Sequence, residues 1–141
     1  MNEKILPAFE NNSYAIACSS SVEYAPYLSV YLQSIKEHAS KDNTYDVIVF
    51  ESSWSETLRK KFKTFFNASN FSVRFINPEP FFDGIDLYIT HSYFKRECYY
   101  RLAAPLILSC YKKIVITDID IIVLKDIEEI FHINMDFNCV A

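Results

Sequence analysis

Residues 14–18, Tyr-Ala-Ile-Ala-Cys, form an apolar run of strand length that stops at Ser19-Ser20-Ser21, a triplet with turn and cap chemistry. The period then changes: Ala25, Leu28, Leu32, Ile35 and Ala39 recur at steps of three and four, the spacing of one helix face, with Pro26 where a first-turn proline is tolerated. Asp42-Asn43 marks a loop, and residues 47–50 (Val-Ile-Val-Phe) read as a second buried strand. Ser55 can cap a second helix with an apolar face of Leu58, Phe62, Phe65 and Phe66, and after a polar break at 67–70 a third strand follows at 71–76. Pro78, Pro80 and Asp83-Gly84 punctuate an irregular connection of about a dozen residues, long enough to be a candidate binding segment. A third helix is predicted from Phe94 to about Leu108, which Pro105 must kink or end early. Residues 113–124 read as a last buried strand with Asp118 and Asp120 inside it, and the apolar end at 138–141 reads as the start of another, a C-terminal strand being the plainer alternative. Strands rich in β-branched residues alternating with helices predict an α/β domain, a parallel Rossmann-type sheet covered on both faces.

The chain has 141 residues, so a single domain over 1–141 is expected. Its 50% hydrophobic and 23% charged residues are near the globular average, which excludes disorder as the main state. Phe (12) and Tyr (10) supply large buried area per residue. Glycine is nearly absent: the single Gly84, against roughly ten at average usage, removes every Gly-rich phosphate cradle, so bound phosphates would need another device such as a metal ion. The net charge of −4 argues against a general nucleic-acid partner. The one basic run, Arg59-Lys60-Lys61 with Lys63, alternates with apolar residues as a solvated helix face does. Cys18, Cys98, Cys110 and Cys139 show no zinc-site spacing, and no run has the length of a signal peptide core or a membrane span. The expectation is a cytoplasmic protein with reduced thiols, surface attachment at the inner face of the membrane remaining open.

The chemistry concentrates at Asp118-Ile119-Asp120. In a buried strand two ionised carboxylates need compensation, and residues i and i+2 of an extended chain point to one side, so both can converge on a ligand at the carboxyl edge of the sheet. A hard cation such as Mn²⁺ or Mg²⁺, with its shell completed by substrate phosphates, suits that arrangement. From spacing alone, one Asp capping a turn and the other solvated is an equally open reading.

The stretch Tyr99-Tyr100-Arg101-Leu102-Ala-Ala-Pro105, followed by the strand bearing Asp118 and Asp120 and by Lys125-Asp126, resembles the glycosyltransferase family 8 signature. Tyr24-Ala-Pro-Tyr-Leu28 and Ser34-Ile35 fit the first helix of that family, so the resemblance covers nearly the whole chain. It implies a GT-A fold, a nucleotide-sugar donor (UDP-glucose or UDP-galactose), Mn²⁺ or Mg²⁺, and transfer to a glycan or lipid-linked saccharide acceptor, as in lipopolysaccharide biosynthesis, with retention of configuration. Carried over by position, Asp118 and Asp120 would hold the metal, with Asp118 also near the ribose and Ile119 between them in the donor site. Arg101 would set a positive charge beside the donor; the residues alone suggest instead an ion pair with Glu97 one turn earlier. Tyr24 would stack on the base, and Ser19, Ser20 and Ser21 would bring main chain to the nucleotide. Ser21 and Glu23 depart from the family, where Asp and Asn are common, and this bears on base recognition. The family's late Asn-x-Gly segment and metal-binding His have no counterpart, since His38, His91 and His132 read as surface or loop residues, and the resemblance implies the N-terminal, donor-binding portion of a longer domain.

Two other readings are kept: a non-catalytic sugar-nucleotide-binding fragment, and a haloacid dehalogenase-type phosphatase with Asp118 as nucleophile and Asp120 as acid/base. The second lacks its motif's usual N-terminal position.

Overall fold

The computed structural model describes residues 5–89 and 95–136; the expected helix start at Phe94, His91, Cys139 and the apolar end at 138–141 lie outside the described residues. Four strands, β1 (Tyr14–Ser19), β2 (Tyr45–Phe50), β3 (Phe71–Ile76) and β4 (Lys113–Ile116), form one parallel sheet in the order β3-β2-β1-β4. Helix α1 (Ala25–His38) connects β1 to β2 and α2 (Glu56–Phe66) connects β2 to β3. The order runs outward from β1 in both directions, so β1 and β4 flank a switch point, and the crevice beyond their carboxyl ends is where open α/β sheets place ligands.

Period-two alternation divides the strands between two cores. Ile16, Cys18, Val47, Val49 and Val73 share a cluster with Leu28, Leu32 and Ile35 of α1 and Phe66 of α2. On the other face Ala15, Ala17, Ile48 and Phe50 meet Phe82, Tyr100, Ala104 and Leu108. The alanines of β1 leave room there for the Tyr100 segment to lie close to the sheet.

Pro26 occupies the first turn of α1, and the Ser55 hydroxyl accepts from the Leu58 amide at 3.2 Å, a cap worth about 1 kcal/mol. Lys36 of α1 donates to the terminal Phe66 carbonyl of α2 at 2.9 Å, placing a cation at the negative helix end. Phe65, expected on the buried face of α2, is instead 69% exposed. Successive helical residues lie about 100° apart, so Phe66 can be buried only by turning Phe65 outward. Of the basic run, Lys60, Lys61 and Lys63 are exposed, while Arg59 reaches the fully buried Glu51 at 2.7 Å.

Two expected elements are shorter than the sequence suggests. In place of one third helix the chain makes 3-10 turns at Arg96–Cys98 and Tyr100–Ala103 and then a single α-turn, α3 (Ala104–Ile107), with Pro105 in its first turn. A helix cannot run through Pro105, which has no N–H for the Arg101 carbonyl and would clash with it, so the helix restarts there. The last strand ends at Ile116 rather than near Leu124: among the described residues β4 pairs only with β1, from Tyr14↔Lys113 to Ala17↔Ile116, and past the Thr117 amide, which donates to the Ala17 carbonyl at 3.0 Å, none continues the ladder. The apolar run continues because residues 119–123 lie over α1, where Ile119 is buried in the α1 cluster and Val123 packs on it.

Among the described residues no helix is long and apolar enough to cross a membrane.

Candidate functional site

At the carboxyl ends of β1 and β4 a cleft of about 320 Å³ opens, near the lower limit of ordinary ligand pockets. Its first wall is the turn after β1, Ser19 to Ser21, and Tyr24 at the mouth of α1. Its second is Asp118-Ile119-Asp120, directly after β4. Its third is the 3-10 segment bearing Lys95, Glu97, Cys98 and Arg101. All eight residues singled out from sequence therefore meet in one cleft, from stretches nearly a hundred positions apart.

The serine turn is tightly held. The Ser20 amide donates to the Phe50 carbonyl at 3.0 Å, its hydroxyl donates to the Ser21 carbonyl at 3.0 Å, and Trp54 Nε1 donates to the Ser20 carbonyl at 3.2 Å. The Ser21 hydroxyl donates to Glu23 Oε2 at 2.6 Å. Tyr24 is 44% exposed, with its ring 5.6 Å from that of Tyr27, so an aromatic face is presented at the cleft mouth rather than buried as packing.

The carboxylate wall is built differently from expectation. Asp118 and Asp120 are exposed, not buried inside a strand, so desolvation does not demand a counter-ion. What holds them in place is the chain around them. Ile119, 8% exposed, is driven into the core between the two carboxylates. The Tyr31 and Thr117 hydroxyls lie 2.5 Å apart just before the pair, and the Val123 amide donates to Ser34 Oγ at 3.0 Å just after it. Sequence reasoning left Tyr31 without a role, although it lies three residues beyond Leu28 on the buried helix face. Thr117 carries no sequence signal beyond being a polar residue in an apolar run.

Arg101 Nη2 donates to Asp118 Oδ1 at 2.6 Å, a pair with both side chains about half exposed. The expected pairing with Glu97 is therefore replaced. In 3-10 geometry, with three residues per turn, positions four apart no longer share a face. Lys95, which the sequence reading passed over, lies 3.2 Å from Glu23 across the mouth.

The irregular 78–84 connection supplies none of the lining residues of this cleft. Its 3-10 turn at Glu79–Phe82 braces the third wall instead: Glu79 accepts from Arg96 Nη2 at 2.8 Å and from the Tyr100 hydroxyl, while Phe82 is buried beside the Tyr100 ring. Arg96 and then the Tyr100 hydroxyl hold the Glu79 carboxyl below the usual carboxylate range, and burial above all pushes the Tyr100 phenol well up. Cys18, beneath the turn, is fully buried, and burial raises its thiol to about 12, which makes it inert packing. Among the described residues no three side chains of His, Cys, Asp or Glu gather as a metal site; the carboxylates that line the cleft are Asp118 and Asp120, with Glu97 on the facing wall.

A parallel sheet in this order with a cleft at its switch point defines an open, Rossmann-type α/β domain. The family model described as Glycosyl transferase family 8 matches residues 15–141, and the chain belongs to that family. Among solved structures it is similar to the apo bifunctional glycosyltransferase WbbM, at TM-score 0.81 and 26% identity over 96% of this chain and 23% of that one. It is also similar in fold to galactosyltransferase LgtC, solved in complex with donor and acceptor sugar analogs (TM-score 0.68, 23% identity, 86% of this chain and 43% of that one), and to the LgtC active-site mutant Q189E (TM-score 0.67, 24% identity, 86% and 42%). The chain thus spans less than half the length of these relatives. No curated protein matches it in sequence.

Proposed function

We propose that the chain is the donor-binding portion of a retaining glycosyltransferase that moves a hexose from a nucleotide sugar, UDP-glucose or UDP-galactose, to a glycan or lipid-linked saccharide acceptor. The observation that carries this reading is the convergence of Tyr24, the Ser19–Ser21 turn, Arg101, Asp118 and Asp120 on one cleft at the switch point of a family 8 chain. In it Tyr24 stacks on the base, and the serine turn brings main chain against the nucleoside. Two exposed carboxylates one residue apart suit a hard divalent ion, Mn²⁺ or Mg²⁺, that takes one or two protein oxygens and fills its shell from phosphates and water. Bound there, such an ion supplies Lewis-acid neutralisation of the departing diphosphate. Arg101 is attached to the same carboxylate, so whatever engages Asp118 leaves the guanidinium beside the donor as a fixed positive charge where the leaving group becomes anionic. Retention of configuration and the acceptor class rest on family membership. A sugar-nucleotide-binding unit without turnover is the second reading, because every role assigned here to the cleft residues concerns the donor. The phosphatase reading has no support from the family match.

Calorimetric titration of UDP with and without Mn²⁺ tests the proposal. Metal-dependent binding that disappears in Asp118→Asn/Asp120→Asn supports it, and a folded chain whose UDP uptake is indifferent to both metal and carboxylates refutes it. Hydrolysis or transfer of UDP-glucose and UDP-galactose then separates the two readings.

A further inference from the structure

The cleft carries two cations, and each is held by a carboxylate: Arg101 by Asp118 and Lys95 by Glu23. The two are not equivalent. Arg101 can turn to a ligand only by leaving a carboxylate that a metal would use, whereas Lys95 sits on one that faces the rim. Lys95 Nζ is 3.2 Å from Glu23 Oε2, and among the described residues that carboxylate is its one side-chain partner. Glu23 is more firmly fixed, since the same oxygen also accepts from the Ser21 hydroxyl at 2.6 Å. The Ser21 hydroxyl chiefly, with Lys95 further down, holds the Glu23 carboxyl down at about 2, so it is anionic at every ordinary pH. With side chains 43% and 63% exposed, the ion pair is of the screened surface kind that exchanges partners readily.

The charge inventory gives Lys95 a use. Glu97, Asp118 and Asp120 line the cleft against Lys95 and Arg101, so an entering diphosphate meets an excess of carboxylate. Each cation that can be released to it matters.

We propose that Lys95 is a phosphate-binding residue of this cleft, parked on Glu23 while the cleft is empty and transferred to a phosphate oxygen of a nucleoside diphosphate when one binds, with Glu23 acting as the competitor that sets anion affinity. The inference rests on the nucleotide-sugar reading above. No bond is made or broken; Lys95 exchanges one anionic oxygen for another.

The test is titration of UDP in the presence of Mn²⁺ on the 141-residue chain and its variants. Lys95→Met weakens binding about tenfold, the scale of one charge-assisted hydrogen bond, and Lys95→Arg recovers most of it. Glu23→Gln keeps an acceptor for Ser21 but removes the competing charge, and it tightens binding several-fold. Inorganic pyrophosphate follows the same order, whereas uridine, which has no phosphate, does not distinguish the variants. If Lys95→Met and Glu23→Gln both weaken UDP binding, the pair merely holds the mouth together and the proposal falls. It falls alone if Lys95→Met binds like wild type while Asp118→Asn/Asp120→Asn does not bind. A wild-type chain that takes up no UDP with Mn²⁺ overturns the nucleotide-sugar reading and this inference together.

Discussion

Two carboxylate–guanidinium pairs lie at opposite ends of the sheet and have nearly the same length. Asp46 meets Arg74 at 2.7 Å near the amino end of β2, and Asp118 meets Arg101 at 2.6 Å past the carboxyl end of β4. Distance does not separate them; saturation does. The Asp46 side chain is wholly buried and accepts from Arg74 Nε at 3.1 Å, Arg74 Nη2, the Tyr111 hydroxyl at 2.6 Å and the Ala8 amide at 2.8 Å. Arg74 in turn donates to the Leu6 carbonyl at 2.9 Å, so the network ties the leading segment and the approach to β4 onto β2 and β3. The Asp118 side chain is 60% exposed and, among the described residues, accepts from Arg101 alone. The first pair has no capacity left for a ligand and serves as structure, whereas the second keeps lone pairs and solvent access, as a binding carboxylate requires.

The largest effect that would break this contrast is at Asp46. Asp46→Ala strands a guanidinium and the Tyr111 hydroxyl without their acceptor, and unfolding in urea should show a loss of about 3–5 kcal/mol. A loss below 1 kcal/mol would mean that burial does not distinguish the two pairs.

A smaller effect is expected at Tyr45, whose hydroxyl donates to both oxygens of Asp126 at 2.7 and 2.8 Å. Burial first, then the neighbouring Asp126, pushes the Tyr45 phenol up to about 12. Burial pulls the Asp126 carboxyl upward, but the Glu128 amide and then Tyr45, the Ser40 amide and Asn43 outweigh it and leave the group below its usual range. The signs follow from linkage. A phenol raised in the folded state stabilises fully below its ordinary value near 10, and that contribution is lost as pH rises toward about 12. A carboxyl lowered in the folded state stabilises above its ordinary value, and that contribution is lost as pH falls through the lowered one. Tyr45→Phe should therefore remove about 1–2 kcal/mol at neutral pH and flatten both the acid and the alkaline limbs of a melting-temperature profile. An unchanged profile would contradict the assignment.

The smallest stability effect belongs to Asp118. Asp118→Asn should alter unfolding by less than about 0.5 kcal/mol, as an exposed pair does, even where ligand binding is lost. A cost comparable to that at Asp46 would make the cleft pair structural.

Much of the architecture could be read in the chain because its first half is locally consistent. The five-residue apolar run before Ser19, the helical spacing from Ala25 to Ala39 and the Ser55 cap each point to one element, and those elements form. The cleft was legible through motifs, since Tyr24, Arg101 and the Asp118–Asp120 pair stand in recognisable contexts. Other features had no local signal. Burial against α1 and burial inside a sheet both select apolar residues, so Ile119 and Val123 extended the expected strand beyond the partner that could pair with it. Lys95 and Glu23 are 72 positions apart, and no periodicity links them. Tyr31 and Ser34 lie on the buried side of α1, and nothing in the spacing reveals that their polar atoms grip another segment.

That grip has a mechanical consequence. Helix α1 bears Tyr24 at its mouth and, about two and about three turns further on, fastens residues 117 and 123 through Tyr31 and Ser34. The stacking lip and the carboxylate lip are therefore two jaws mounted on one rigid bar, and their separation is a fixed gauge. Any widening to admit or discharge a ligand falls to the Lys95–Arg101 wall, which among the described residues is attached across the cleft by two exposed ion pairs.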